Sequence, residues 1–433
     1  MILRDVTIGA STIKNRFLTI SLLVLSGEAV FFLPFVLVRI FRPTYLDVFT
    51  LDNTQLGFCF SIYGVVAFLS YFFGGVLADK FEPRLLIVTA LILTGLGGFY
   101  LATYPSYTEL KILYAYWGFT TIFLLWGAMI KATRIWGGNT KQGRAFGFLD
   151  GGRGAVSATI GATGVVIYGM VMTVDIDTAT LADKQAAFKS VILASTYITL
   201  GIAVLVFLFL KQEPIEDDVK FDNHTDYSKK NILAIAKLPF VWLLALIILC
   251  AYCGYKVTDI FSLTANEVML YDEVDAAKVG TLSLYLRPFV GVIIGFLADR
   301  TKASLVLTLS FSFVIIGSLL FASGLINSSA VFFFFMAVVI TSIGIYSARV
   351  LYFAVIHEGN IPVALTGTAV GIVSVVGYTP DIFMGPVIGY ILDSSPGLAG
   401  HQYVYLTLAG FSIVGLVSSF LLKKNIKSQV PKQ

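Results

Sequence analysis

Gly75-Val76-Leu77-Ala78-Asp79-Lys80 closes one long apolar run, and Gly295-Phe296-Leu297-Ala298-Asp299-Arg300 closes another 220 residues later. One G-x-L-A-D-[KR] can arise by chance. Two at the same place in a hydropathy repeat, half a chain apart, point to an internally duplicated fold. Outward from the pair, apolar windows fall at 17–46, 54–78, 84–103, 110–134, 144–173 and 187–210. A second set falls at 239–263, 277–298, 303–324, 330–354, 363–392 and 403–422. Each window has about the 20 apolar residues a helix needs to cross the hydrocarbon layer. Between the sets lies the polar stretch 211–238, dense in charge and without apolar period, which reads as a cytoplasmic linker. The expectation is an all-α membrane protein of twelve transmembrane helices in two pseudo-symmetric six-helix halves, 1–210 and 239–433.

Composition agrees. Of 433 residues, 57% are hydrophobic and 13% charged, with a mean hydropathy of +0.86, too little polar surface for a chain solvated by water alone. The net charge of +4 is more informative by position. Arg4, Lys14 and Arg16 precede the first span, and alternate connections are basic: Lys80 with Arg84, Lys141 with Arg144, Lys211 to Lys237, Arg300 with Lys302, and the tail Lys423, Lys424 and Lys427. Intervening loops carry Asp175, Asp177 and Asp183, or Glu267, Asp272, Glu273 and Asp275. Basic loops stay inside, so both termini are expected in the cytoplasm and the chain in the inner membrane as a multi-pass protein. The first apolar run continues through Pro34 to Arg39 and is expected to be retained rather than cleaved.

The two motifs, each followed by a short basic loop, resemble the signature between helices 2 and 3 of the major facilitator superfamily. Gly75 and Gly295 suit close helix approach, while Asp79 and Asp299, with Arg84 and Arg300, lie where a carboxylate can meet basic side chains or a helix N-terminus as an inner gate closes. The family pattern has Gly at position 82 and a basic residue at 83; here Glu82 and Pro83 stand there and Arg84 remains. Within the superfamily, most of the chain resembles the organophosphate:phosphate antiporters, the sugar-phosphate permeases. Leu37-Val38-Arg39, the run from Asp52 to Gly57, Glu82-Pro83-Arg84, Asp259 and Asn266-Glu267-Val268 carry that likeness. It implies that Arg39 binds a substrate phosphate. The family's second phosphate-binding arginine falls near Gly254, with Lys256 two residues on, and Arg153 stands near the place of a helix 5 histidine that this chain lacks.

An ionisable side chain at the bilayer centre costs roughly 2.5 to 3.5 kcal/mol on insertion scales, so each needs a partner or a watery cavity. The spans contain Glu28, Arg39, Asp150, Arg153, Lys256, Asp259, Arg287, Arg349 and Asp381. Lys131 and Arg134, at the end of the fourth, are expected to snorkel to the interface. Asp150 with Arg153 and Lys256 with Asp259 are spaced i,i+3, where members of a pair can neutralise each other. Arg39, Arg287 and Arg349 have no acid one turn away, so the interior holds more cations than acids and an incoming anion would complete the balance. Arginine's planar fork suits a phosphate, sulfonate or carboxylate. Candidate substrate contacts are therefore Arg39, Lys256, Arg153, Arg287 and Arg349; candidate proton carriers or charge partners are Glu28, Asp150, Asp259 and Asp381.

Other features read as packing. The glycine-dense run from Gly147 to Gly164 lacks P-loop spacing and suits close helix crossing. Tyr378-Thr379-Pro380-Asp381, with Pro386 beyond, predicts a kink that bends during gating. Cys59, Cys250 and Cys253 sit in apolar stretches as packed thiols, and His224, His357 and His401 have no metal-ligand spacing. No enzyme, cofactor, metal or nucleic-acid constellation is found. The expectation is a monomeric secondary active transporter of a small organic anion, working by alternating access and exchange. Alternatives are a proton-coupled symporter of an organic or sugar acid, and a non-transporting membrane sensor on the same scaffold. A drug exporter fits a cationic cavity poorly.

Overall fold

The structure is a computed structural model that describes residues 2–137, 142–172, 178–210, 237–352, 355 and 366–429. All but the last two residues of the expected linker, and the loop with Lys141, lie outside the described residues. The fold is all-helical. Among the described residues, twelve helices are long and apolar enough to cross a membrane: Arg16–Ile40, Asn53–Tyr71, Pro83–Leu101, Tyr107–Gly137, Ala145–Val171, Leu181–Phe209, Pro239–Glu267, Glu273–Ala298, Ala303–Ala322, Val331–Leu351, Ile372–Ser394 and Leu398–Ile426. They are numbered here as spans 1 to 12. Their lengths match the hydrocarbon layer, and helical geometry satisfies each backbone amide internally where no water is at hand.

Four spans depart from regular α-helix among the described residues, span 7 through a 3-10 turn over Thr258–Ile260 that contains Asp259. Span 1 passes through a π-helical turn, Phe32–Val36, because Pro34 removes a donor and its ring displaces the preceding carbonyl. It then breaks at Phe41, and Arg42–Phe49 is a separate helix with a proline in its first turn. The single helix expected over 17–46 is thus divided. Span 4 is π-helical over Phe119–Trp126. In span 11, Thr366–Gly377 and Pro380–Ser394 are distinct helices meeting at Tyr378-Thr379, where the sequence predicts its kink.

Close contacts group the chain into two compact units: Met1–Val38 with Val65–Val219, and Arg39–Gly64 with Lys220–Gln433. In the first, span 3 packs on span 6 and span 1 on span 5, around a core that includes Leu23, Ile87, Leu91, Leu125, Met129 and Val206. In the second, span 9 packs on spans 10 and 12 and span 7 on spans 11 and 12, with Phe261, Phe321, Phe334 and Tyr405 at the centre. Large apolar side chains such as Phe73, Met170, Phe289 and Phe296 point outward, as suits lipid.

The structure redistributes the predicted glycine contacts. A Cβ on Gly295 would have nothing within 4 Å, so the close approach expected there is not made in this arrangement. Near the first motif the tight crossing belongs to Gly74 and Gly127: a Cβ on Gly127 would lie 3.0 Å from the Gly74 carbonyl oxygen. Lys131 reaches the last turn of the helix that carries span 2. Its ammonium donates to the Ala78 carbonyl at 2.7 Å, where the exposed carbonyls of a helix C-terminus attract a cation. Arg84 lies with its guanidinium 5.8 Å from the centre of the Phe207 ring. In span 5, Gly152 is tight against Val24 of span 1, whereas Gly147 and Gly151 face open space.

Candidate substrate site

Each unit has a buried polar centre. In the first, Arg153 of span 5 is 9% exposed and its Nε donates to Glu28 of span 1 at 3.1 Å, with Asp150 at 4.0 Å. The guanidinium lies 5.4 Å from the Phe31 ring centre and 5.8 Å from that of Trp126, the last residue of the π-helical stretch. The wider turn carries the indole onto Arg153, and the two rings shield the ion pair on their side. The i,i+3 reading is therefore only partly right, since the closer carboxylate comes from another helix.

The second unit brings together most of the remaining candidates. Span 1 delivers Arg39 with its backbone fixed: Ser262 donates to the Arg39 carbonyl at 2.8 Å, and Gly280 leaves room for the Arg39–Ile40 backbone, a Cβ there falling 3.0 Å from both. The Arg39 side chain is 1% exposed. Its Nε donates to Asp259 at 2.6 Å and its Nη1 to the Tyr255 hydroxyl at 3.0 Å. One turn back on span 7, Lys256 pairs with Asp381 of span 11 at 3.0 Å, and Tyr252 donates to the same carboxylate at 3.1 Å. Arg349 of span 10 lies over Tyr255, 3.7 Å from the ring centre; Tyr346 is an electrostatic neighbour of Arg39, and Arg287 of Tyr346. A small cleft is lined by Arg42, Phe60, Lys256, Asp259, Gly385 and Ile388.

These pairings correct the sequence reading in a specific way. Lys256 and Asp259 each take an ion-pair partner from a different span. Arg39, with no acid one turn away, finds one 220 residues along the chain. At least three of the five candidate cations have carboxylate partners, so much of the interior positive charge is already met within the protein. The reason is geometric: i,i+3 neighbours share a face, but a side chain turned to an adjacent helix reaches a better-aligned acceptor. The tyrosines were missed. Tyr252, Tyr255, Lys256 and Asp259 fall on one helical face at i, i+3, i+4 and i+7, a stripe that could have been found in the sequence. The side chains of Asp79 and Asp299 lie outside the described residues.

Around this centre, residues 53–64 of span 2 lie backbone to backbone on span 11. A Cβ on Gly64 would fall 2.6 Å from the Asp381 backbone, and one on Gly385 would fall 2.7 Å from the Gly57 oxygen. Asp393 caps the start of span 2, accepting from the Asn53 amide at 3.1 Å and the Thr54 amide at 2.7 Å. Asn53 in turn accepts from Arg42, and Thr44 donates to Glu273 at 3.0 Å. Helix N-termini attract carboxylates, so Asp393 is well placed as a latch. Among the described residues no cluster of His, Cys, Asp or Glu could hold a metal, and all three cysteines are free and buried.

A profile of the Major Facilitator Superfamily matches residues 24–383. Two inner membrane proteins of Escherichia coli K12 are similar along nearly their whole length. YqcE is 26% identical over 420 residues, covering 96% of each chain, and YihN is 27% identical, covering 96% of this chain and 97% of that one. Among solved structures, a bacterial homologue of the human lysosomal transporter Spinster, inward-facing and unoccupied, superposes with a TM-score of 0.74 at 14% identity, covering 96% of this chain and 99% of that one. The nucleoside transporter NupG does so with a TM-score of 0.68 at 15% identity, covering 93% and 99%. At such identities the likeness is one of fold.

Proposed function

Because the chain belongs to the major facilitator superfamily, we propose that its work as a secondary transporter is to move a small organic anion: a sugar phosphate, another organophosphate or a related acid. The observation that carries this reading is Arg39. A buried guanidinium that already grips a carboxylate at 2.6 Å, with Lys256 gripping a second at 3.0 Å, is built to hold anionic oxygens. Asp259 and Tyr255 engage two of the five Arg39 donors, and a phosphate or carboxylate on the cargo offers the same acceptor geometry. The tyrosine hydroxyls nearby suit the neutral, hydroxyl-rich part of such a solute.

In this reading the sequence halves 1–210 and 239–433 rock about the site, both termini face the cytoplasm, and the chain works as a monomer. The contact of residues 53–64 with span 11 is then a closed shutter on the side away from the linker. Exchange of one anion for another belongs to this reading, a counter-anion taking the place of the cargo before the return crossing.

Proton-coupled symport of an organic or sugar acid is the second reading, favoured by Asp259 and Asp381. If cargo displaces them from Arg39 and Lys256, each becomes a carboxylate parted from its cation inside the membrane, a costly state unless a proton joins it. The test is a thermal-shift screen of the purified protein with phosphate esters, sulfonates, sugar acids and inorganic phosphate, repeated on Arg39→Lys, which keeps the charge and loses the fork. Stabilisation by one class that weakens at least tenfold in apparent affinity in the variant supports the reading. Equal stabilisation of both proteins, or by uncharged sugars alone, refutes it. Counterflow in vesicles with the ligand so found, with and without a protonophore, then separates exchange from symport.

A further inference from the structure

A second buried ionisable centre lies in the same unit, between the end of span 7 and the start of span 12. His401, near the start of span 12, is 2% exposed; its Nδ1 is 3.0 Å from the Thr264 hydroxyl and its Nε2 is 2.9 Å from Glu267, at the end of span 7. Thr264 has two more partners, the Ile260 carbonyl at 2.9 Å and the Tyr405 hydroxyl at 3.2 Å.

The proton positions follow by bookkeeping. The threonine hydroxyl has one hydrogen, and the Ile260 carbonyl can only accept, so that hydrogen goes to Ile260. The Thr264 oxygen must then accept from both remaining partners, which makes Tyr405 a donor and fixes a hydrogen on His401 Nδ1. On the other side of the ring, Nε2 faces a carboxylate oxygen at hydrogen-bond distance. Without a hydrogen between them, two lone pairs would face each other at 2.9 Å, a repulsive contact.

We propose that His401 and Glu267 form a proton-binding site, holding one proton between Nε2 and the carboxylate and thereby tying the end of span 7 to the start of span 12. Glu267 is one-third exposed, which gives the proton a path to water, whereas the ring is enclosed. The titratable groups that face His401 are Glu267 from span 7 and, through Thr264, Tyr405 from its own span. Tyr405 is fully buried and stacked on Phe321 at 3.8 Å, so its donor role is held in place by packing. Parting the two spans at this end exposes both groups to water and releases the constraint, so proton concentration on that side acts on their separation. The site is independent of what the transporter carries.

The experiment is nitrogen NMR of the full-length protein in detergent, with ¹⁵N-histidine and side-chain ¹³C-glutamate, at about pH 7, where an ordinary histidine is largely neutral. His401 is assigned by comparison with His401→Gln. The expected result is an imidazole with hydrogens on both nitrogens beside an ionised Glu267; a neutral ring beside a protonated Glu267 carries the same single proton and also supports the site. In Glu267→Gln the amide can donate to Nε2, so the Nε2 hydrogen is lost and only the Nδ1 hydrogen remains. A neutral ring together with an ionised Glu267 overturns the proposal, as does an Nε2 hydrogen unchanged in Glu267→Gln. If that variant does not fold, the wild-type spectra alone decide.

Discussion

Removing Arg39 tests whether its ion pair is a matched unit or merely a neighbouring pair of charges. The side chains of Arg39 and Asp259 are 1% and 4% exposed, so water does little to screen either. Arg39→Ala leaves the Asp259 carboxylate buried with its nearest cation gone. Breaking such a pair from one side costs about 3–5 kcal/mol, which is roughly a hundred- to several-thousand-fold in the folding equilibrium. Asp259→Ala should cost a similar amount, since it strands the guanidinium. Arg39→Ala/Asp259→Ala removes both charges and should recover most of the loss, because apolar replacement of a whole buried pair is close to neutral. Equilibrium unfolding in mixed micelles, followed by fluorescence of Trp242 on span 7 of the same unit with the other three tryptophans replaced by phenylalanine, measures all three. Single-variant losses below about 1 kcal/mol, or a double variant as unstable as the sum of the singles, would refute the reasoning.

In the other unit, Glu28→Gln should be tolerated better than Arg153→Leu, because the first leaves Arg153 with Asp150 at 4.0 Å whereas the second removes the cation that pairs with Glu28; comparative unfolding with Trp126 as reporter checks the order. Gly57→Leu should force span 2 from span 11, since even a Cβ there collides with the Gly385 backbone, and should speed maleimide labelling of the buried Cys59 at least tenfold in a Cys250→Ala/Cys253→Ala background. Unchanged labelling would count against the shutter. Asp393→Asn removes the negative charge at the start of span 2 while keeping an acceptor, and should weaken that contact by about 0.3–1 kcal/mol, read as a modest rise in the same labelling rate.

The twelve spans were legible because apolar length is a one-dimensional signal, and so was the break at Tyr378-Thr379, since proline's missing donor is a local property. The interruption after Arg39 was not, although Pro43 was there to be weighed as a first-turn residue of a new helix. Of the candidate site, the charged residues are legible and their partners are not. Arg39, Lys256, Asp259 and Asp381 were chosen by their cost in a membrane, but their partners depend on which helices adjoin, and no local spacing contains that. The same holds for Gly295, whose motif predicts a close crossing where the structure leaves open space within 4 Å of a Cβ. His401 was set aside as metal-free, and only its three-dimensional neighbours reveal a proton ledger.

The partnership of Arg39 with Asp259 also has a temporal side. A ribosome adding roughly 5–20 residues per second needs about ten to forty seconds to reach the acid after the base has been made, because 220 residues separate them. Throughout that interval the nascent first helix holds a cation whose eventual counterion does not yet exist. Its insertion must therefore be sheltered by water, lipid headgroups or the translocation machinery. Biogenesis, more than the finished transporter, is where a misplaced charge at position 39 or 259 would first be felt.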